Sequence, residues 1–116
     1  MSKEMTKVTI VTRREKFDEL RKKMKEIGVT GMTVTQVEGS GVQHGIKEVI
    51  SGVIKRSYLS PKIKVEIVVC AVPVDEVIRV AAEVLKTGNV GDGKIFTTPI
   101  THVVRIRTEE WDENAL

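Results

Sequence analysis

Twice along this chain a stretch that alternates apolar and polar residues gives way to one with helical spacing, and this repeat limits the fold more than any other feature. Residues 7–13, Lys7-Val8-Thr9-Ile10-Val11-Thr12-Arg13, begin with period two and predict a strand. In residues 15–27, Phe17, Leu20, Met24 and Ile27 share one helical face, and lysines and arginines cover the rest. Gly28 suits the left-handed residue that ends such a helix. A second strand is predicted over residues 30–38. The pattern returns at 62–70, alternating and then continuously apolar, and again at 74–87, where Val74, Val77, Ile78, Ala81, Val84 and Leu85 recur at helical spacing. Pro73 precedes this helix and Gly88 is expected to end it as Gly28 ends the first. Residues 94–98 and 101–107 predict short strands around Pro99.

Two successive βαβ units of similar length imply an α+β, ferredoxin-like double βαβ sandwich. Right-handed crossovers put both helices on one sheet face and leave the other uncovered. Val and Ile supply 30 of the 116 residues, against 4 Leu, so further copies of the chain are expected to cover that face. The whole of 1–116 is expected to be one domain. Residues 39–60, broken by Gly39, Gly41, Gly45 and Gly52, hold no sustained period. A connection this long is functional in most compact domains, although a two-stranded ribbon projecting from the sheet also fits. Residues 108–116 form an acidic tail.

Composition closes off several functions. The four aromatic residues are Phe17, Tyr58, Phe96 and Trp111, too few for a base-stacking platform. A net charge of +3 is too balanced for a broad nucleic-acid surface. His44 and His102 lack partners at metal-ligand spacing. Cys70 lies in an apolar run and reads as a buried strand cysteine in a reducing cytoplasm. No run of about 18 apolar residues could span a membrane, and the N-terminus has no secretory signal.

The chemistry concentrates in Thr87-Gly88-Asn89-Val90-Gly91-Asp92-Gly93-Lys94. Gly-Asp-Gly permits a backbone that turns several N–H groups toward one point, and Lys94 adds a charge. On a strand, Arg105 and Arg107 would share a face, and phosphate oxygens suit the guanidinium fork. Together these make a polyphosphate clamp. A tight turn followed by a solvated strand face is the other reading. The segment is not a Walker A loop, and no nucleophile–base motif is present. Binding is favoured over catalysis.

Residues 27–37 (Ile27-Gly28-Val29-Thr30-Gly31-Met32-Thr33-Val34-Thr35-Gln36-Val37), the Thr87–Phe96 segment and Val104-Arg105-Ile106-Arg107-Thr108 carry a resemblance. With the gapless Leu59–Glu66 stretch, the chain resembles the PII nitrogen-regulatory signal-transduction proteins from about Lys7 to the tail. The resemblance implies a homotrimer with sheets facing inward and ATP/ADP sites between subunits. It implies a cytoplasmic sensor, not an enzyme, whose flexible loop, here 39–60, docks on a transporter or enzyme, including a membrane transporter, without entering the bilayer. By position, the nucleotide ligands would be Val11, Gly31, Met32, Thr33, Glu66, Val68, Gly91, Asp92, Gly93, Lys94, Arg105 and Arg107. Val11 and Val68 would flank the base, Thr33 would reach its edge, and Glu66 would lie near the ribose. Arg13, Gln43, Gly45 and Lys62 would take 2-oxoglutarate. Gln43 would ligate Mg²⁺ together with ATP phosphates and the keto acid, completing six oxygens.

The departures from the family pattern cluster in the loop. Lys55 stands where the modified tyrosine would be, and Val53 where a phosphorylated serine would be. Val42 replaces a basic residue, Ser40 an aromatic one, and Thr97-Thr98-Pro99 a more apolar strand. An energy sensor blind to 2-oxoglutarate, or a slow ATPase or phosphohydrolase, are the alternatives.

Overall fold

In a computed structural model of the chain, residues 4–40, 46–50, 53–57 and 59–116 are described. Strand β1 (Met5–Thr12) leads through a short 3₁₀ turn (Arg14–Lys16) into helix α1 (Phe17–Glu26) and strand β2 (Thr33–Gly39). Strands β3 (Ile46–Ile50) and β4 (Val53–Ser57) follow, then β5 (Ser60–Val69), helix α2 (Val74–Leu85) and β6 (Gly93–Ile100). The main sheet is antiparallel, in the order β2-β5-β1-β6. That is the expected α+β double βαβ sandwich.

Alternation along β1 and β5 decides where the core lies. Val8, Ile10, Ile63, Val65, Ile67 and Val69 are buried against Leu20 and Met24 of α1 and Val77, Ala81, Val84 and Leu85 of α2. Residues paired across antiparallel strands share a face. The pairs Lys7↔Val68, Thr9↔Glu66, Val11↔Lys64 and Thr33↔Glu66 therefore define the face the helices leave open. That face mixes charged, hydroxyl and aliphatic side chains; most of the sheet's Val and Ile lie on the covered side.

Gly28 ends α1 as predicted. At φ 96° it lets its own N–H reach the Lys25 carbonyl at 3.1 Å, while the Val29 N–H reaches the Met24 carbonyl at 2.9 Å. This paired closure seats the buried Val29 against the core. Gly88 does not repeat it. Helix α2 stops at Leu85, its capping residue Lys86 is extended, and Gly88 (φ 85°) belongs to the loop beyond.

Three further segments differ from expectation. Residues 46–50 and 53–57 follow the two-stranded-ribbon alternative: β3 pairs with β4 in a sheet of their own. Strand β6 runs unbroken through Pro99, which pairs with Thr6 on the sheet's edge, where a missing N–H is tolerated. Residues 101–107 are not a strand; Val104 makes a single bridge to Trp111. The alternation there has no neighbouring strand to satisfy, and positive φ angles at Glu109 (58°) and Asp112 (54°) turn the chain back on itself. Residues 112–115 then form a 3₁₀ segment.

Candidate functional site

The sequence-predicted ligands fall into two groups at opposite ends of the open face. The first surrounds the loop between α2 and β6. The Asp92 carboxylate folds back into this loop and accepts the Thr87 N–H at 2.8 Å, the Gly88 N–H at 3.0 Å and a short bond from the Thr87 hydroxyl. These bonds, the hydroxyl's above all, hold its pKa below the usual carboxyl range. Asp92 thus shapes the loop.

Three successive carbonyls of the loop face the strands. Val90 O accepts from the Arg13 guanidinium at 2.5 Å, Gly91 O from the Lys62 ammonium at 2.7 Å and Asp92 O from the buried Thr12 hydroxyl at 2.7 Å. The peptides are trans, so each N–H opposes its carbonyl. The N–H groups of Gly91, Asp92 and Gly93 are therefore directed to the loop's other side. Successive donors of this kind suit an anion. Gly91 (φ 99°) and Gly93 (φ 111°) make the turn possible. At Gly93 a Cβ would come 1.9 Å from the Val11 carbonyl oxygen, so no side chain can stand there. Lys94 follows, opposite Val11.

Arg13 lies close enough to Lys62 for its charge to perturb the ammonium. Burial, and then the nearby Arg13 charge, depress the Lys62 pKa. The Arg13 Nε is buried without a hydrogen bond, 3.8 Å from Asp92 Oδ1. Two neighbouring cations with a spare buried donor fit a small anion. Gln43 and Gly45, the other predicted 2-oxoglutarate ligands, lie outside the described residues, as does the Mg²⁺ role of Gln43.

The second group lines a cavity of about 900 Å³ that includes Gly31, Met32, Thr33, Glu66 and Val68. Glu66 is paired with Lys7 at 3.3 Å. Sequence reasoning missed Lys7, Val29 and the chain's last four residues, all of which line this cavity. Their convergence depends on register and topology, which no local motif reports. Cys70 also lines it, half-buried and one residue beyond β5.

The two groups do not meet within one chain. Six residues separate Val68 from Lys62 along β5, about 20 Å at strand rise. Val11 lies with the loop group and Val68 with the cavity, about 13 Å apart by register. One copy of the chain does not set both beside a single base. The arginines are also not a same-face pair. They follow Ile100, the end of β6 opposite Lys94. Arg105 is held in a turn, its N–H on Glu110 O at 2.9 Å and its guanidinium on the Glu110 carboxylate at 3.2 Å, and Arg107 is exposed.

Comparison with known proteins places this arrangement. The family model for nitrogen regulatory protein P-II matches residues 5–110. The chain is 46% identical over 116 residues to the nitrogen regulatory PII-like protein of Bacillus subtilis, covering the full length of both. It is 41% identical to nitrogen regulatory protein P-II 1 of Methanothermobacter thermautotrophicus, over 98% of this chain and 99% of that one. Against the nitrogen regulatory protein GlnK of Escherichia coli the identity is 38%, over 97% and 100%. The structure superposes on B. subtilis GlnK with a TM-score of 0.82, at 43% identity, covering 97% of this chain and 99% of that one. It superposes on a B. subtilis GlnK–ATP complex with a TM-score of 0.81, at 42% identity, covering 97% and 98%. Matched by the family model over residues 5–110, by relatives over its whole length and by solved structures in its fold, the chain belongs to the nitrogen regulatory PII family of signal-transduction proteins.

Proposed function

We propose that this protein is a cytoplasmic sensor that binds ATP or ADP between the subunits of a homotrimer and regulates a transporter or metabolic enzyme through residues 39–60. The division of its candidate residues between two ends of one sheet face carries this reading. A head-to-tail contact would set the cavity of one copy against the glycine loop of the next, and such a contact closes into a ring when its rotation allows. The solved GlnK–ATP complex of a 42% identical relative supports the choice of nucleotide.

The loop N–H groups of Gly91, Asp92 and Gly93, with Lys94, would hold phosphates. Thr33, Glu66 and Val68 would receive the nucleoside. Arg105 and Arg107, on the cavity's side of β6, would supply further phosphate contacts once copies join. Arg13 and Lys62 would neutralise 2-oxoglutarate, exchanging their carbonyl partners for its carboxylates. Mg²⁺, held through Gln43, would screen the phosphate charge. Lys55 stands where the family's modified tyrosine would be, so tyrosine modification at that position is not part of this reading.

Calorimetric titration of the purified chain with ATP and with ADP tests the reading. Saturable binding of each, one displacing the other, is expected. Absence of binding by both overturns it. Addition of 2-oxoglutarate with Mg²⁺ should tighten ATP binding, and ATP should tighten 2-oxoglutarate binding by the same factor. No mutual effect would leave a sensor of ATP and ADP alone.

A further inference from the structure

Thr12 breaks the apolar pattern of its own strand. The helix-covered face of β1 carries Val8, Ile10 and Thr12 in alternation, each at most 1% exposed. Among the described residues, Thr12 is the one buried polar side chain. Valine has the same branched shape and would fill this place with no hydroxyl to satisfy. A buried hydroxyl costs free energy unless it is hydrogen-bonded. Here it donates to the Asp92 carbonyl at 2.7 Å, 80 residues along the chain.

The carbonyl that Thr12 holds belongs to the Asp92–Gly93 peptide. That peptide is trans, so fixing its oxygen fixes the Gly93 N–H on the opposite side. The register of β6 gives the same direction. Along an edge strand the N–H groups alternate between the neighbouring strand and the outer rim. Pro99, opposite Thr6, has no N–H and takes an outward place; Gly93, opposite Thr12 and six residues earlier, has the same outward place. The two preceding carbonyls are held by Arg13 and Lys62, which are charged and partly exposed, so an incoming anion can claim them. The Thr12 hydroxyl is neutral and buried, and its hold on the peptide does not depend on what those cations bind.

We infer that Thr12 is a positioning residue for the phosphate end of the site: its buried hydroxyl sets the Asp92–Gly93 peptide so that the Gly93 N–H points at the bound phosphates. The inference rests on the proposed nucleotide reading of the glycine loop. A hydroxyl that aims a donor and a side chain that only fills the core make opposite demands at this position. The first needs the oxygen and can spare the methyl group. The second needs the volume and can spare the oxygen.

Calorimetry of the full chain with ATP and with ADP, beside thermal melts, separates the two by comparing Thr12→Val and Thr12→Ser with the unsubstituted protein. Thr12→Val keeps the shape and loses the donor. It should weaken both nucleotides about threefold to tenfold, the range for one neutral hydrogen bond. Thr12→Ser keeps the donor and loses a buried methyl group. It should melt at a lower temperature yet bind both nucleotides within about twofold of the starting affinity. The reverse order, with valine binding as well as threonine and serine worse, overturns the inference, as does equal binding by all three; either result leaves the nucleotide reading standing. Should Thr12→Val not fold, Thr12→Cys, close to serine in size but a weak donor, takes its place in the comparison with serine. Failure of the unsubstituted chain to bind either nucleotide removes the nucleotide reading and the inference with it.

Discussion

Gly93 is the residue on which the glycine loop turns. Its φ of 111° and the 1.9 Å approach of any Cβ to the Val11 carbonyl oxygen leave room for hydrogen alone. Gly93→Ala should lower stability by about 2–3 kcal/mol, the cost of strain at a position the surrounding strands over-determine. A urea melt would show it as a lower midpoint with an unchanged slope. Asp92 sets a second test. Its carboxyl is more acidic in the folded loop than in an unfolded chain, so its contribution is complete above the ordinary value of about 3.9 and fades as pH falls through the lower folded value. The Thr87 and Gly88 amide resonances should therefore titrate with a midpoint below that ordinary value. A midpoint at or above it would mean the carboxylate is not held by these bonds. The importance of Gly91 and Gly93 is visible in the sequence, because Gly-Asp-Gly permits little else. Asp92's inward role is not, because a carboxylate in a loop can face either way until its donors are placed.

Among the elements, those with a buried face were legible. Leu20 and Met24 on α1, and the alternating Ile63, Val65 and Ile67 on β5, report their packing through periodicity alone. The segments with no core to face were misread. Val103-Val104-Arg105-Ile106-Arg107 alternates like a strand, yet Ile106 is 93% exposed, and the segment's backbone bonds close a tight reversal onto residues 109–112 with one isolated β-bridge, Val104 to Trp111. Strands β3 and β4 lacked a period because their pairing is with each other. That independence yields a prediction. Gly39 and Ser60 are already partners across β2 and β5, the spacing a two-residue hairpin turn requires. Replacing residues 40–59 with Asn-Gly should leave a folded protein whose melting temperature moves by only a few degrees, since loop length enters the closure entropy logarithmically. Loss of cooperative thermal unfolding would show that the ribbon supports the sheet. The shortened protein should bind nucleotide and fail to regulate its target.

At the scale of the molecule, the candidate site could not be assembled from sequence spacing. Val11 and Val68 lie near equivalent places in their repeats, but antiparallel pairing sends them toward opposite ends of the open face. If neighbouring copies unite the halves, defects at different ends should complement. Thr33→Arg would block the cavity, and Lys94→Glu would repel phosphate. Each variant alone should lose ATP binding. Unfolded and refolded together in equal amounts, they should recover about one quarter of the sites, because random assembly joins two intact halves that often. No recovery would place both halves of each site within one copy.

Pro99 has a wider consequence. An edge strand offers free backbone groups to any passing extended chain, and β6 is one edge of this sheet. Proline is accommodated where its nitrogen faces outward, so the outer rim of β6 lacks a donor at that point. A foreign strand zipping along β6 would lose its register bond there, beside the hydrophilic Thr97 and Thr98. The protein thus carries a guard against runaway sheet growth on this flank, and the same gap directs strand-adding contacts toward β2.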